Sequence, residues 1–321
     1  MLVSCLLFVL GLVLLIFGGD FFVDASTNIA KKLHIPDLLI GATIVSIGTT
    51  LPEVMVSATG ALEGHSQIAY GNAIGSIICN TALICAITIA FKPNKVSKKT
   101  LYLPVSFFFV AAIFYVFCAI NDGYFSRLEG IFLLCMFVAY MILQVIDAKK
   151  TAVNEKSEEE SSTEGKTSKD ILFLILGAAA IALGARLLVD NGTIIAKEFG
   201  VPESVIALTF VALGTSLPEL VTAITSLVKG HGLLSLGNII GANLFNLVLV
   251  SGTAITLCPF KVPTEKTIMG LNASFVVDIP LMLTVMLILT LPPLIKGKLY
   301  RWQGILLLAL YAGYCFFQFA L

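Results

Sequence analysis

Gly41-Ala42-Thr43-Ile44-Val45-Ser46-Ile47-Gly48-Thr49-Thr50-Leu51-Pro52-Glu53 is echoed 166 residues later by Ala207-Leu208-Thr209-Phe210-Val211-Ala212-Leu213-Gly214-Thr215-Ser216-Leu217-Pro218-Glu219. The same shift carries Gly18 onto Gly184, Asp24 onto Asp190, Pro36 onto Pro202, Asn72 onto Asn238, Asn80 onto Asn246 and Pro93 onto Pro259. One offset holds without a gap over roughly 75 residues, so the chain carries an internal repeat. The best-matched positions include polar ones, which a duplication serving packing alone leaves unexplained.

Both stretches lie inside long apolar runs. The 321 residues are 58% hydrophobic and 12% charged, with mean hydropathy +0.98, against about 25% charge in soluble domains. A membrane span needs about 20 apolar residues. Ten runs qualify, near 2–23, 38–62, 67–90, 101–120, 128–147, 171–193, 204–228, 233–257, 274–295 and 302–320. Residues 1–23 lack a basic leader and a convincing cleavage site, so they read as a span and not as a signal peptide. Five spans per half is an odd number, so the second half enters the membrane from the opposite side. The predicted fold is an all-α polytopic membrane protein with ten transmembrane helices in two inverted-topology repeats. Residues 1–147 form the first repeat, 148–170 a linker and 171–321 the second repeat.

Charge sets the orientation. Fifteen of the twenty Lys and Arg fall on one side of the alternating connections and four (Arg127, Lys197, Lys261, Lys266) on the other, with Arg186 inside a span. The positive-inside rule puts both termini outside and the 148–170 linker in the cytoplasm of a cell (inner) membrane protein. The linker mixes Glu155, Glu158, Glu159, Glu160 and Glu164 with lysines, serines and threonines, a solvated composition. Zero net charge suggests no nucleic-acid partner. The seven cysteines are scattered through apolar runs and read as small core residues.

A carboxylate at the centre of a bilayer costs at least about 2.5–3.5 kcal/mol and by default marks function. Glu53 and Glu219 are two, related by the repeat. Pro52 and Pro218 each remove an N–H, which predicts helices broken at Gly48 and Gly214 with freed carbonyls. Thr49 and Thr215 precede the glutamates by four residues and share their helix faces. On the following spans Asn72, Ser76 and Asn80 form one stripe, matched by Asn238, Ala242 and Asn246. Asn72, Asn238 and Asn243 read as interhelical hydrogen-bonders, Ser76, Asn80 and Asn246 as ligands. Carboxylates, hydroxyls, amides and carbonyls make an all-oxygen set, suited to hard cations such as calcium or sodium. His34, His65 and His231 fall at span ends, away from that set.

The paired GTTLPE and GTSLPE segments, each followed by a GN..G(S/A) segment, resemble the two alpha-repeats of the calcium/cation antiporter superfamily, most closely its prokaryotic sodium/calcium exchangers. The resemblance covers essentially the whole chain. It implies that Glu53 and Glu219 bind calcium and sodium in turn, and that Thr49, Thr50, Thr215 and Ser216 give backbone and hydroxyl oxygens. It further implies carbonyls from Ser46 and Ala212 and side-chain oxygens from Ser76, Asn80 and Asn246. Ala242 replaces the serine of many relatives, which removes a hydroxyl from one sodium site. Asn246 replaces the aspartate that accompanies potassium co-transport in one branch, and so argues against potassium.

The expected activity is sodium/calcium antiport by alternating access, the first and sixth spans shifting against a fixed core. Calcium ions, sodium ions and the lipid bilayer are the expected partners of a monomeric transport unit with no cofactor. The nearest rival is a calcium/proton antiporter using the same glutamates. A cation channel is a remoter one, disfavoured by the inverted halves. An intramembrane hydrolase with Ser216 as nucleophile lacks a nearby base, so the chain is not expected to be an enzyme.

Overall fold

The computed structural model describes residues 2–121, 123–155, 167–200, 214–264, 267–268 and 270–320. Among the described residues the chain folds into helices: α1 Leu2–Leu33, α2 Asp37–Leu62, α3 Ser66–Phe91, α4 Lys98–Asn121, α5 Arg127–Glu155, α6 Thr167–Glu198, α7 Leu217–Val228, α8 Gly232–Leu257, α9 Ser274–Lys296 and α10 Arg301–Ala320. Eight of these are long and apolar enough to cross a membrane. α7 is shorter, and the start of the run expected at 204–228 lies outside the described residues. So do Ala212 and the linker residues 156–166. Helix continues to Glu155 and resumes at Thr167, inside the stretch read from sequence as linker.

Burial sorts the helices. In their most apolar windows α8 is 89% and α3 72% buried, against 22% for α1, α5 and α6. An apolar helix with most of its surface uncovered fits lipid, so α3 and α8 form the core and α1 and α6 the periphery. Those two outer helices lie along each other and approach at glycines. A Cβ on Gly11 would come within 2.8 Å of the Gly184 carbonyl oxygen, and one on Gly18 within 3.1 Å of the Gly177 carbonyl oxygen. The repeat offset turns the first contact into the second, since Gly11 corresponds to Gly177 and Gly18 to Gly184. Small residues allow such backbone contact where lipid offers no hydrophobic drive for association.

Turns of π-helix interrupt the helices next to the core, at Gly41–Val45 in α2, Asn80–Cys85 in α3 and Asn246–Val250 in α8, and another opens α9 at Ser274–Asp278. A wide turn releases backbone carbonyls, and side chains collect them. Ser46 Oγ donates to the Gly41 carbonyl at 2.7 Å, Tyr140 OH to that of Ala42 at 2.9 Å and Ser251 Oγ to that of Asn246 at 2.9 Å.

The expected helix breaks are corrected in part. α2 runs as α-helix from Ser46 to Leu62 straight through Pro52. The missing N–H frees one carbonyl locally without ending the helix. In the second half Gly214–Ser216 form a turn and α7 starts at Leu217, while the residues before Gly214 lie outside the described ones. Pro218 then sits in the first helical turn, where no N–H partner is needed. The Gly214 carbonyl is not free, since it accepts from Leu217 N at 3.4 Å.

Short extended pairs join the loops, Tyr124–Phe125 with Phe260–Lys261 and Thr267–Ile268 with Leu271–Asn272. Lys95 and Lys298 make an isolated bridge. The glycine contact between the outer helices gives a first test. Gly184→Val should force α1 and α6 apart, costing about 1–3 kcal/mol of packing and lowering the melting temperature in detergent. Gly313→Val should leave the melting temperature unchanged, because a Cβ added there would have no neighbour within 4 Å.

Candidate ion site

Glu53 on α2 and Glu219 on α7 are both fully buried, and they lie within electrostatic reach of each other. Neither carboxylate has a hydrogen-bond partner for either oxygen among the described residues. Thr49 faces Glu219, but its hydroxyl is engaged elsewhere, donating to Asn238 Oδ1 at 3.1 Å. A buried unpaired charge is among the costliest groups a fold can hold. Two of them in one place call for cationic compensation.

The wall of the site is tied by a pair of bonds that cross between the halves. Thr49 on α2 donates to Asn238 on α8, and Thr215, beside α7, donates to Asn72 on α3, each at 3.1 Å. The repeat maps one bond onto the other. Asn72 also donates to the Glu53 carbonyl at 3.1 Å and to Ser57 Oγ at 2.8 Å. Asn243 donates to Thr81 Oγ1 at 2.7 Å. All three asparagines read from sequence as interhelical hydrogen-bonders make such bonds.

The residues expected to be ligands fall into two groups. Thr50 Oγ1 and both side-chain polar atoms of Asn80 and Asn246 are buried without partners among the described residues. Asn80 opens the wide turn of α3, which packs on α7 and hence on the helix of Glu219. Asn246 opens the wide turn of α8, which packs on α2 and hence on the helix of Glu53. The hydroxyls of Thr49, Thr215 and Ser46 give their protons to other groups, Ser46 Oγ donating to the Asn238 carbonyl at 3.0 Å, and keep oxygen lone pairs that can face a cation. Ser76 and Ser216 face each other across the site at 3.5 Å, and Ala242 is fully buried.

Among the described residues no group of three or more His, Cys, Asp or Glu forms a metal-ligand cluster. Two carboxylates and neutral oxygens are therefore the available donors, a set suited to hard cations. His65 is exposed, whereas His231 Nδ1 lies 3.0 Å from Asp37 Oδ2 at the far end of α8. Cys79, expected to be a plain core residue, also interacts with Ser216 and Tyr311 at the edge of the site.

A cavity of about 930 Å³ lies beside the site, between α2 and α6, and reaches Gly214, Thr215 and Pro218. Arg186 and Asp190, paired at 3.5 Å, stand at its rim. The corresponding gap between α1 and α7 is closed, with Gly19 packed on Val221 and Thr225. The repeat partners of Gly19 and Val221 are Ala185 and Met55, and both line the cavity.

The family model described as "Sodium/calcium exchanger protein" matches residues 3–146 and 169–320. A putative antiporter, CaxA of Alkalimonas amylolytica, is 35% identical over the full length of both chains. The sodium/calcium exchanger MaX1 of Methanosarcina acetivorans is 31% identical over 97% of each. The solved structure of the sodium-calcium exchanger NCX_Mj, soaked with 2.5 mM Na+ and 10 mM Sr2+, superposes with a TM-score of 0.79 at 32% identity over 97% of each chain.

The unpaired carboxylates give a prediction that needs no ion. Glu219→Gln removes a buried charge and its repulsion with Glu53, so in cation-free buffer it should raise the melting temperature by a few degrees, on the scale of about 1–3 kcal/mol. A marked fall would mean that Glu219 has a cationic partner.

Proposed function

This chain belongs to the sodium/calcium exchanger family, and on that premise we propose that it is a secondary antiporter exchanging sodium for calcium, with Glu53 and Glu219 shared by the two ions. The observation that carries this reading is the pair of fully buried carboxylates without hydrogen-bond partners among the described residues, on helices packed against the turns that hold the equally buried and unpartnered Asn80 and Asn246. One divalent cation neutralises two carboxylates, and so do two monovalent ones. A site that either cargo can satisfy, and that is costly when bare, favours exchange over leakage.

The proposed architecture is ten spans in two inverted halves, 1–147 and 171–321, joined by the 148–170 linker. The duplicated contacts support it: Thr49 to Asn238 with Thr215 to Asn72, and Gly11 to Gly184 with Gly18 to Gly177. Positive charge puts both termini outside and the linker in the cytoplasm of the cell membrane. On that orientation the α2–α6 cavity opens toward the outer half and the α1–α7 contact closes the inner half. Alternating access follows if α1 and α6 shift together, the glycine contacts holding them as one body, so that one gap closes as the other opens.

The ligands proposed are the carboxylates of Glu53 and Glu219, oxygens of Thr50, Ser76, Asn80, Asn246 and Ser216, and carbonyls of Ser46, Thr49, Ala212 and Thr215. Ala242 leaves the second half one hydroxyl short of the first, so the sodium sites on the two sides of the glutamates differ in strength. The unit is monomeric, needs no cofactor and makes or breaks no covalent bond. Each tenfold sodium gradient supplies about 1.4 kcal/mol per ion, and net charge movement adds about 2.3 kcal/mol per 100 mV.

Proteoliposomes with an imposed inward sodium gradient should extrude calcium, and Glu53→Gln and Glu219→Gln should each abolish the flux. Calcium flux that follows a proton gradient and ignores sodium would favour proton coupling instead. Unimpaired flux in both variants would remove the glutamates from the mechanism.

A further inference from the structure

Helical serines and threonines buried in apolar surroundings ordinarily donate to a carbonyl one turn back. This chain does so repeatedly: Ser26 to Phe22, Thr27 to Val23, Thr43 to Leu39, Thr256 to Gly252 and Thr290 to Met286. Thr222, Ser226 and Ser235 do not. All three are fully buried, and their hydroxyls have no partner among the described residues. A buried hydroxyl left without a partner is destabilising.

Their placement is ordered. Glu219, Thr222 and Ser226 occupy one face of α7 at spacings of three and four. α7 and α8 form a helical hairpin bent at Lys229–His231, where His231 N donates to the Ser226 carbonyl at 2.7 Å. Ser226 and Ser235 lie about one turn from the bend on either arm. Thr222 and Asn238 lie a turn deeper, and the Asn238 amide nitrogen is also buried and unpartnered. Glu219 stands beyond them. The unpartnered polar groups thus descend from the bend to the carboxylate.

At the bend, this column ends among three carboxylates. Lys229 Nζ lies 2.9 Å from Asp20 and 2.8 Å from Asp24, and His231 lies 3.0 Å from Asp37. The first half has no such column. The repeat counterparts of Thr222, Ser226 and Ser235 are Val56, Gly60 and Ala69, and Asn72, the counterpart of Asn238, is paired with Ser57, where the second half has Ala223. Duplication therefore does not account for the hydroxyls, and neither does helix packing.

We infer that the α7–α8 hairpin is the inner leg of the cation path. Thr222, Ser226 and Ser235 form a relay of neutral oxygens that passes a small hard cation between Glu219 and a cytoplasmic mouth formed by Asp20, Asp24 and Asp37. Lys229 and His231 occupy those mouth carboxylates in the present conformation. Parting of α1 from α7 would separate Asp20 and Asp24 from Lys229 and open the mouth, leaving the hydroxyls to replace part of the hydration shell of the ion. The outer route, along a cavity lined mainly by apolar side chains with Thr215 at the site and Arg186 and Asp190 at the rim, has no corresponding column of buried hydroxyls. The inference rests on the antiporter reading and on its orientation.

The test is sided. In proteoliposomes of uniform orientation, the apparent KM for calcium is measured separately at each face for the wild type and for Thr222→Val/Ser226→Ala/Ser235→Ala. The variant should raise the cytoplasmic-face KM about tenfold, the scale of one hydrogen bond to a charged group, and leave the outer-face KM within about twofold. Thr222→Ser/Ser226→Thr/Ser235→Thr, which keeps every hydroxyl, should restore the inner value. If the triple variant does not fold, the single variants serve, each raising the inner KM about threefold. Equal changes at both faces, or none at either, overturn the relay while leaving sodium/calcium exchange standing. A wild type without sodium-driven calcium flux overturns the antiporter reading and the relay with it.

Discussion

Two carboxylates enclosed together in an apolar interior impose the central constraint on this fold. Coulomb repulsion between Glu53 and Glu219 and the loss of their hydration both act against burial, and no donor among the described residues offsets either one. The surroundings must hold them in place all the same. That work falls to the two crossing Thr–Asn bonds, which clamp α2 to α8 and the Gly214–Ser216 turn to α3. The clamp takes the protons of the Thr49 and Thr215 hydroxyls, while Thr50, Asn80 and Asn246 keep buried polar atoms with no partner among the described residues.

The wide turns serve the same constraint. In α3 and α8 each places an asparagine at its first residue, and each changes the direction of a helix face without ending the helix. A loop in this position would expose many backbone groups to an apolar environment. A single extra residue per turn frees few carbonyls, and Ser46, Tyr140 and Ser251 are on hand to meet them. Among the described helices the most buried, α3 and α8, thus carry the two asparagines, and the far less buried pair α1 and α6 stands outside them.

Duplicated positions with unequal residues give the molecule its asymmetry. Ser57 satisfies Asn72, whereas Ala223 leaves the Asn238 amide nitrogen unpartnered. Gly19 packs tightly on α7, whereas Ala185 borders a cavity. The first difference is fixed in the chain. The second lies in the packing, with repeat-related positions in a closed gap on one side and beside a cavity on the other.

Composition and spacing alone establish the apolar helical character and the repeat at 166 residues, and they single out Glu53 and Glu219 as carboxylates within apolar runs. None of these needs knowledge of which helices touch. The same reading assigns Asn72, Asn238 and Asn243 to interhelical bonds, because an amide in a glycine-rich apolar helix has few other partners. The tertiary structure, by contrast, shows α2 continuing through Pro52 while Gly214–Ser216 form a turn ahead of α7. Pro52 removes a hydrogen bond from a continuing helix, whereas Pro218 sits in a first turn where no N–H partner is needed. Tertiary contact likewise separates Thr50 from Thr49 and singles out Thr222, Ser226 and Ser235. Whether a hydroxyl is engaged or left over depends on which carbonyls and amides the neighbouring helices bring to it, and residue type and spacing do not encode that.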